Sequence, residues 1–455
     1  MSVCSSAVIC MSELKSGLRK VTPFQLITVS FLAVILLGSL LLSLPAATAG
    51  PGHCPWLDAL FTSGSAVCVT GLVVQNTGTY WSAFGKTVIL FLIQIGGLGV
   101  ITVIITISTF TGRRIGLRQR DLMQNVVNAP KIGGIIRFTR FLFLFTFAAE
   151  CVGAILLAPV FIRKFGFAEG IADAVFHSVS AFCNAGFDIL DKKGTFASLT
   201  AYRSDTALNI VIMLLIVIGG LGFFTWRDLA DKRFRWKRLL MQTRLIITVS
   251  AVLILLPAVL FFFFEYTEGG LRTRILTSLF QSVTTRTAGF NTAEIGSMHE
   301  SGRLLMIILM LIGGSPASTA GGFKTTTAAV LVLSALTRAR QKKEVGIFGR
   351  AVASNDVLNA YTLFMLYLAF FLTGSCLICT LEKLPVIDCM FECASALGTV
   401  GLSTGITPGL CAASKVILIF FMYFGRVGGL TLVYAALGSG RPEIGRLPEE
   451  HVMIG

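Results

Sequence analysis

Four times along this chain a phenylalanine is followed two positions later by serine or cysteine, after two more by serine or threonine, and then by a glycine. The copies are DALFTSGSAVCVTG (58 to 71), ADAVFHSVSAFCNAG (172 to 186), LTSLFQSVTTRTAG (276 to 289) and IDCMFECASALGTVG (387 to 401). The separation from Phe to Gly is ten residues in the first, second and fourth copies and nine in the third. A second signature follows each glycine: IGGLG at 95 to 99, IGGLG at 218 to 222, IGGSP at 312 to 316 and VGGL at 427 to 430. Repetition at this level fixes the architecture as four tandem units.

The medium in which the units stand follows from composition. Of the residues 54% are hydrophobic and 13% charged, and the mean hydropathy is +0.81, more apolar surface than a soluble core of this length can hide. Apolar runs of about 20 residues, the length that crosses a bilayer, lie at 24 to 44, 245 to 264, 361 to 381 and 416 onward. Others lie near 87 to 110, 141 to 162, 207 to 224 and 304 to 323. The expectation is an all-α integral membrane protein with eight spans. Ala47-Thr48-Ala49 resembles a signal-peptide cleavage site. The preceding apolar run is too long for a signal peptide, and its removal would spoil the repeat.

A net charge of +15 could suggest nucleic acid, but its distribution excludes that reading. Lys and Arg gather before the first span, in 112 to 140, in 227 to 244 and in 338 to 350, every second connection. Cytoplasmic loops retain positive charge in this way, so both termini are expected in the cytoplasm. The alternate connections contain the Phe-to-Gly segments. Ten to fourteen apolar residues suit a helix that enters the membrane and returns. The loop after it can survive at that depth only when buried in protein or lining a watery cavity. Four such loops around an axis would present a ring of carbonyl oxygens able to replace the hydration shell of a monovalent cation. Glycine permits both close approach and positive φ, and the negative C-terminal ends of the short helices favour a cation.

Over about residues 20 to 455, LIQIGGLG, SAFCNAGF, VTTRTAGFN, SALGTVGLS and SPASTAGGFKTTT together resemble the Trk/Ktr/HKT superfamily of potassium transport membrane subunits, nearest to bacterial KtrB-type subunits. The resemblance implies K+ as the transported ion, with sodium a candidate activator and no cofactor held by this chain. It also implies a homodimer with one pore per protomer, docked on a cytoplasmic ring of RCK-type nucleotide-binding subunits in the bacterial plasma membrane. Carried over residue by residue, the ion-binding filter is Val69-Thr70-Gly71, Asn184-Ala185-Gly186, Thr287-Ala288-Gly289 and Thr399-Val400-Gly401. Glycine in all four copies favours potassium. Arg286, beside the shortened third copy, is expected to point away from the ion path.

The third unit departs from a plain span at Gly313, Gly314, Ser315, Pro316, Ala317, Ser318, Thr319, Ala320, Gly321 and Gly322. Proline and repeated glycine should unwind the helix there, and the resemblance makes this stretch an intramembrane gating loop. A phosphate-binding P-loop is excluded because Phe323 separates Gly322 from Lys324. Arg426, an ionisable residue inside a span, is expected to bond carbonyls of the 313 to 322 loop and set an electrostatic barrier. Lys324 fits an interfacial charge.

The histidines and cysteines fit structural roles. His53, His177, His299 and His451 are scattered, and Cys376 and Cys379 fall in an apolar run, where thiols behave as small apolar groups. Glu392 fits either a structural hydrogen bond or attraction of cations to the mouth. No nucleophile, base or metal constellation suggests an enzyme. A channel-like potassium pore is therefore the first reading, and a sodium- or proton-coupled symporter the second. The expected organisation is a tail (1 to 20), units at 21 to 112, 113 to 230, 231 to 340 and 341 to 440, and a tail (441 to 455).

Overall fold

The computed structural model describes residues 22–50, 52–100, 102–103, 135–191, 196–342 and 344–437. Both tails and much of the basic stretch 112 to 140 lie outside the described residues. The first unit comprises α1 (Pro23–Leu42), α2 (Trp56–Val67) and α3 (Ala83–Leu98); the second comprises α4 (Ile135–Phe165), α5 (Phe167–Phe182), α6 (Thr206–Gly220) and α7 (Phe223–Asp231). The third contains α8 (Met241–Phe264), α9 (Leu271–Thr284), α10 (Glu300–Leu311) and α11 (Thr325–Ala339). The fourth contains α12 (Ser354–Glu382), α13 (Val386–Gly398), α14 (Ala412–Val427) and α15 (Gly429–Leu437). A two-residue pairing of Gly346–Ile347 with Arg350–Ala351 is the one sheet among the described residues.

Local sequence explains where these helices begin. Thr22 and Gln25 form a capping box around Pro23 at the start of α1. Ser82 caps α3 through the Gly85 amide and Asp205 caps α6 through the Leu208 amide. The helices α1, α4, α8 and α12 are each long and apolar enough to cross a membrane. Their outward faces carry exposed Leu37, Ile155, Leu255 and Leu377, as expected where the neighbour is lipid.

The second apolar run of each unit is not one straight helix. The pair α6 and α7 bends by 88° and the pair α14 and α15 by 98°. The hinges are Gly222 at φ 89° and Gly428 at φ 95°, with Gly99 at φ 84° ending α3. Sequence reasoning expects a break in the third unit alone, yet backbone outside the right-handed region interrupts the run in every unit.

These hinges also correct the register of the second signature. Gly425-Arg426-Val427-Gly428, not the VGGL beginning at Val427, matches Gly96-Gly97-Leu98-Gly99 and Gly219-Gly220-Leu221-Gly222. A Cβ on Gly96, Gly219 or Gly425 would strike the carbonyl oxygen of Val67, Phe182 or Leu397, each near the C-terminus of the same unit's short helix. The Gly-Gly spelling at 428 to 429 is a coincidence of composition. The first glycine of the motif is defined by its packing against the short helix, and Arg426 stands where the other units have their second glycine.

The short helices α2, α5, α9 and α13 fill the interior. The repeated Phe61, Phe176, Phe280 and Phe391 are all buried. Two residues later, Ser63, Ser178 and Ser282 donate to Ile35, Glu150 and Ile254 carbonyls at 2.7, 2.6 and 2.6 Å. Each bond fastens a short helix to the long helix before it, and Cys393 occupies this position in the fourth unit.

Candidate functional site

Each short helix ends by turning its chain into the left-handed region. Val69, Asn184, Thr287 and Thr399 have φ of 56°, 58°, 65° and 51°, and two residues later Gly71, Gly186, Gly289 and Gly401 have φ of 93°, 68°, 82° and 92°. Left-handed backbone strains any residue with a Cβ, so the same conformation at four aligned non-glycine positions marks one loop built four times.

The support is equally regular. The residue four after the repeated phenylalanine accepts, through its carbonyl, the amide of the middle loop residue: Thr70 to Ser65 at 2.8 Å, Ala185 to Ser180 at 2.7 Å, Ala288 to Thr284 at 3.0 Å and Val400 to Ser395 at 2.8 Å. Their hydroxyls hold the exit from the loop. Ser65 and Ser395 accept the Gly71 and Gly401 amides, each at 3.0 Å, while Ser180 and Thr284 donate to the Phe187 and Phe290 carbonyls.

The one-residue deletion in the third copy is absorbed inside the turn. The amide of Ala288 reaches back four residues to Thr284, whereas its counterparts reach back five. Thr287-Ala288-Gly289 therefore stays in register with the other three loops. Arg286, whose neighbourhood the shortening affects, is buried and donates to the Ser250 carbonyl at 3.3 Å.

The four loops close on one another in sequence order. A Cβ on Gly71 would strike the Ala185 carbonyl, one on Gly186 would come 2.7 Å from the Gly289 Cα, and one on Gly289 would come 2.6 Å from the Val400 oxygen. One on Gly401 would strike the Thr70 carbonyl, completing the ring. The glycines Gly71, Gly186, Gly289 and Gly401 line a cavity of about 650 Å³ whose wall also carries Asp188 and Asp191. Sequence reasoning missed these two acids. The signal was the Asp-x-x-Asp spacing directly after NAGF.

On the other side of the ring lies the unwound stretch between α10 and α11. The Gly313 amide donates to Phe323 at 2.7 Å, and the Gly314 carbonyl accepts from Thr325 at 3.1 Å. Ser315 and Thr319 donate to Gly220 and Gly219, the Ala317 carbonyl accepts from Phe223 at 2.8 Å, and Gly322 donates to Gly425 at 3.0 Å. Ser318 Oγ turns back to the Ser315 carbonyl at 2.7 Å. Pro316 approaches Gly222, and Ala320 packs on Gly314. Gly321 lies against Thr399 of the fourth loop, so closely that a Cβ there would strike its hydroxyl. Backbone groups that proline and glycine release in this stretch thus find partners within the third unit and on the broken helices of the second and fourth units.

Arg426 joins this stretch to the first unit. Its guanidinium donates to the Thr319 carbonyl, to Gly96 and, at 3.1 Å, to Gly97. Lys324 Nζ caps the Ala320 carbonyl at 2.9 Å.

The remaining sequence candidates are placed elsewhere. His177 packs beside Phe161 and its Nδ1 lies 2.7 Å from the Asp173 carbonyl. Glu150, an acid within α4, accepts from Gln94 at 3.2 Å. Glu392 is fully buried behind the fourth loop and does not line the cavity. Among the described residues no group of His, Cys, Asp and Glu could hold a metal ion.

Comparison with known proteins gives a consistent result. A family model described as TrkH, cation transport protein, matches residues 3–440. The chain is 38% identical to Ktr system potassium uptake protein B of Bacillus subtilis, over 95% of this chain and 97% of the relative. It is 36% identical to potassium/sodium uptake protein NtpJ of Enterococcus hirae, over 98% and 100%. The crystal structure of the potassium transporter TrkH from Vibrio parahaemolyticus superposes with a TM-score of 0.73 at 20% identity, covering 91% of this chain and 84% of that one. This chain belongs to the TrkH family of membrane cation transport proteins.

Proposed function

We propose that this chain is the potassium-conducting subunit of a bacterial uptake system. The observation that carries the reading is the closed ring of four loops, each pairing a left-handed residue with a left-handed glycine. Alternating backbone of this kind aims carbonyls at a common axis, and a ring of carbonyls replaces the water shell of a monovalent cation. The filter is then Val69 to Gly71, Asn184 to Gly186, Thr287 to Gly289 and Thr399 to Gly401. Flow through it is passive and driven by the membrane potential, which contributes about 2.3 kcal/mol per charge per 100 mV.

In this reading the chain makes eight membrane passages, with α2, α5, α9 and α13 as re-entrant pore helices. Both termini are cytoplasmic, the cavity bearing Asp188 and Asp191 opens outward, and residues 313 to 322 with Arg426 form the gate beneath the filter. A homodimer resting on a cytoplasmic nucleotide-binding ring fits the family and the relatives named as parts of a Ktr system.

The test is cation flux in liposomes holding the purified protein, with potassium and sodium compared for the native chain and Gly401→Ser. Potassium-favouring flux that loses its preference in the variant supports the reading. Equal flux of both ions by the native chain refutes it. Potassium flux that requires a sodium or proton gradient replaces the passive pore with a coupled symporter.

A further inference from the structure

One residue after the repeated phenylalanine, the four pore helices carry Thr62, His177, Gln281 and Glu392. In the second and fourth units, which face each other across the ring, this side chain reaches the same backbone atom. That atom is the amide three residues beyond the filter glycine. Glu392 accepts the Thr404 amide at 3.0 Å, and His177 Nε2 accepts the Ile189 amide at 3.4 Å. Glu392 also accepts the Ser403 and Thr407 hydroxyls at 2.6 and 2.7 Å. Gln281, equally buried in the third unit, has no partner for either end of its amide among the described residues.

Glu392 thus holds the outgoing chain of the fourth loop from behind, accepting hydrogen bonds from three residues, with no face on the cavity. Hydrogen bonds to a carboxylate are about twice as strong as neutral ones. The filter carbonyls of Thr399 and Val400 sit between two fixed points, the Ser395 carbonyl on the entering side and this carboxylate on the leaving side.

We propose that Glu392, with His177 as its weaker counterpart across the ring, is a positioning residue that sets the preference of the filter for potassium. A smaller ion is accommodated when carbonyls move inward, and a chain tied behind the ring resists that movement. The proposal rests on the filter reading above and names the buried support that gives the filter its selectivity.

The experiment measures potassium and sodium flux in liposomes for the native chain, Glu392→Ala, Glu392→Gln and a Ser403→Ala/Thr407→Ala double variant. Glutamine keeps an acceptor for the Thr404 amide. The potassium-to-sodium ratio is expected to fall about tenfold in Glu392→Ala, the scale of one charge-assisted hydrogen bond, and to fall more than total flux does. Most of the ratio should return in Glu392→Gln. An unaltered ratio in Glu392→Ala overturns the proposal while leaving the filter reading intact, whereas a native chain without preference overturns the filter reading itself. Equal loss of both ions without rescue by glutamine also overturns it, because that is the signature of general structural damage. Should Glu392→Ala fail to fold, the double variant decides. It leaves the carboxylate on Thr404 but removes two of its donors, and a ratio equal to native there refutes the proposal.

Discussion

Gly401 and Thr70 stand 331 positions apart in the chain, yet a single Cβ on Gly401 would collide with the Thr70 carbonyl oxygen. This contact joins the last loop to the first and closes the ring. The strain of φ 92° adds to the collision, since an L side chain rarely adopts that backbone. Gly401→Ser is therefore expected to displace the Thr70 carbonyl and reduce the potassium-to-sodium flux ratio. A native ratio in folded Gly401→Ser would separate the glycine from selectivity.

Arg426 ties the 313 to 322 stretch to the first unit through Thr319, Gly96 and Gly97. In the proposed reading its charge beneath the filter would repel a descending cation, while its bonds tie the loop to the first unit. Arg426→Ala should raise potassium flux by about tenfold, equivalent to about 1.4 kcal/mol of barrier. Flux equal to native from intact Arg426→Ala protein would remove Arg426 from the gate.

Gly425 has a structural duty that its place in the chain conceals. A Cβ there would meet the Leu397 carbonyl and approach Thr399 Cγ2 at 2.9 Å. Gly425→Ala should lower stability by about 1–3 kcal/mol, the usual cost of overpacking. Thermal unfolding in detergent reads this as a lower midpoint. A midpoint equal to native would show that the corrected motif register is wrong.

Under the proposed function, Asp188 is expected to make flux pH-dependent. Burial, and then the charge of Asp191 nearby, push its carboxyl up to about 6. Above that pH it is ionised and would draw cations into the cavity; as the pH on that side falls through 6 it gains a proton and that attraction would weaken. Potassium flux should decline over that window, and Asp188→Asn should flatten the decline. A decline equally steep in Asp188→Asn would assign the dependence to another group.

From the sequence by itself came the fourfold repeat, the expectation that its glycine loops lie at membrane depth, and the loop residues proposed as a filter. Those conclusions follow from periodicity and from the intolerance of lipid for unpaired backbone, both of which are local. It also located the unwound stretch, because Pro316 and its neighbouring glycines cannot continue a helix. Tertiary structure alone decided that Gly425-Arg426, not Gly428-Gly429, completes the motif of the fourth unit, since the distinguishing contact is with Leu397 on another helix. It decided how the third loop absorbs its deletion, through a bond from Ala288 to Thr284 that spans one residue fewer. It also decided which way Glu392 faces. A carboxylate on a short apolar helix can turn to the cavity or away from it, and only the placement of Ser403, Thr404 and Thr407 shows that it turns inward to brace the loop.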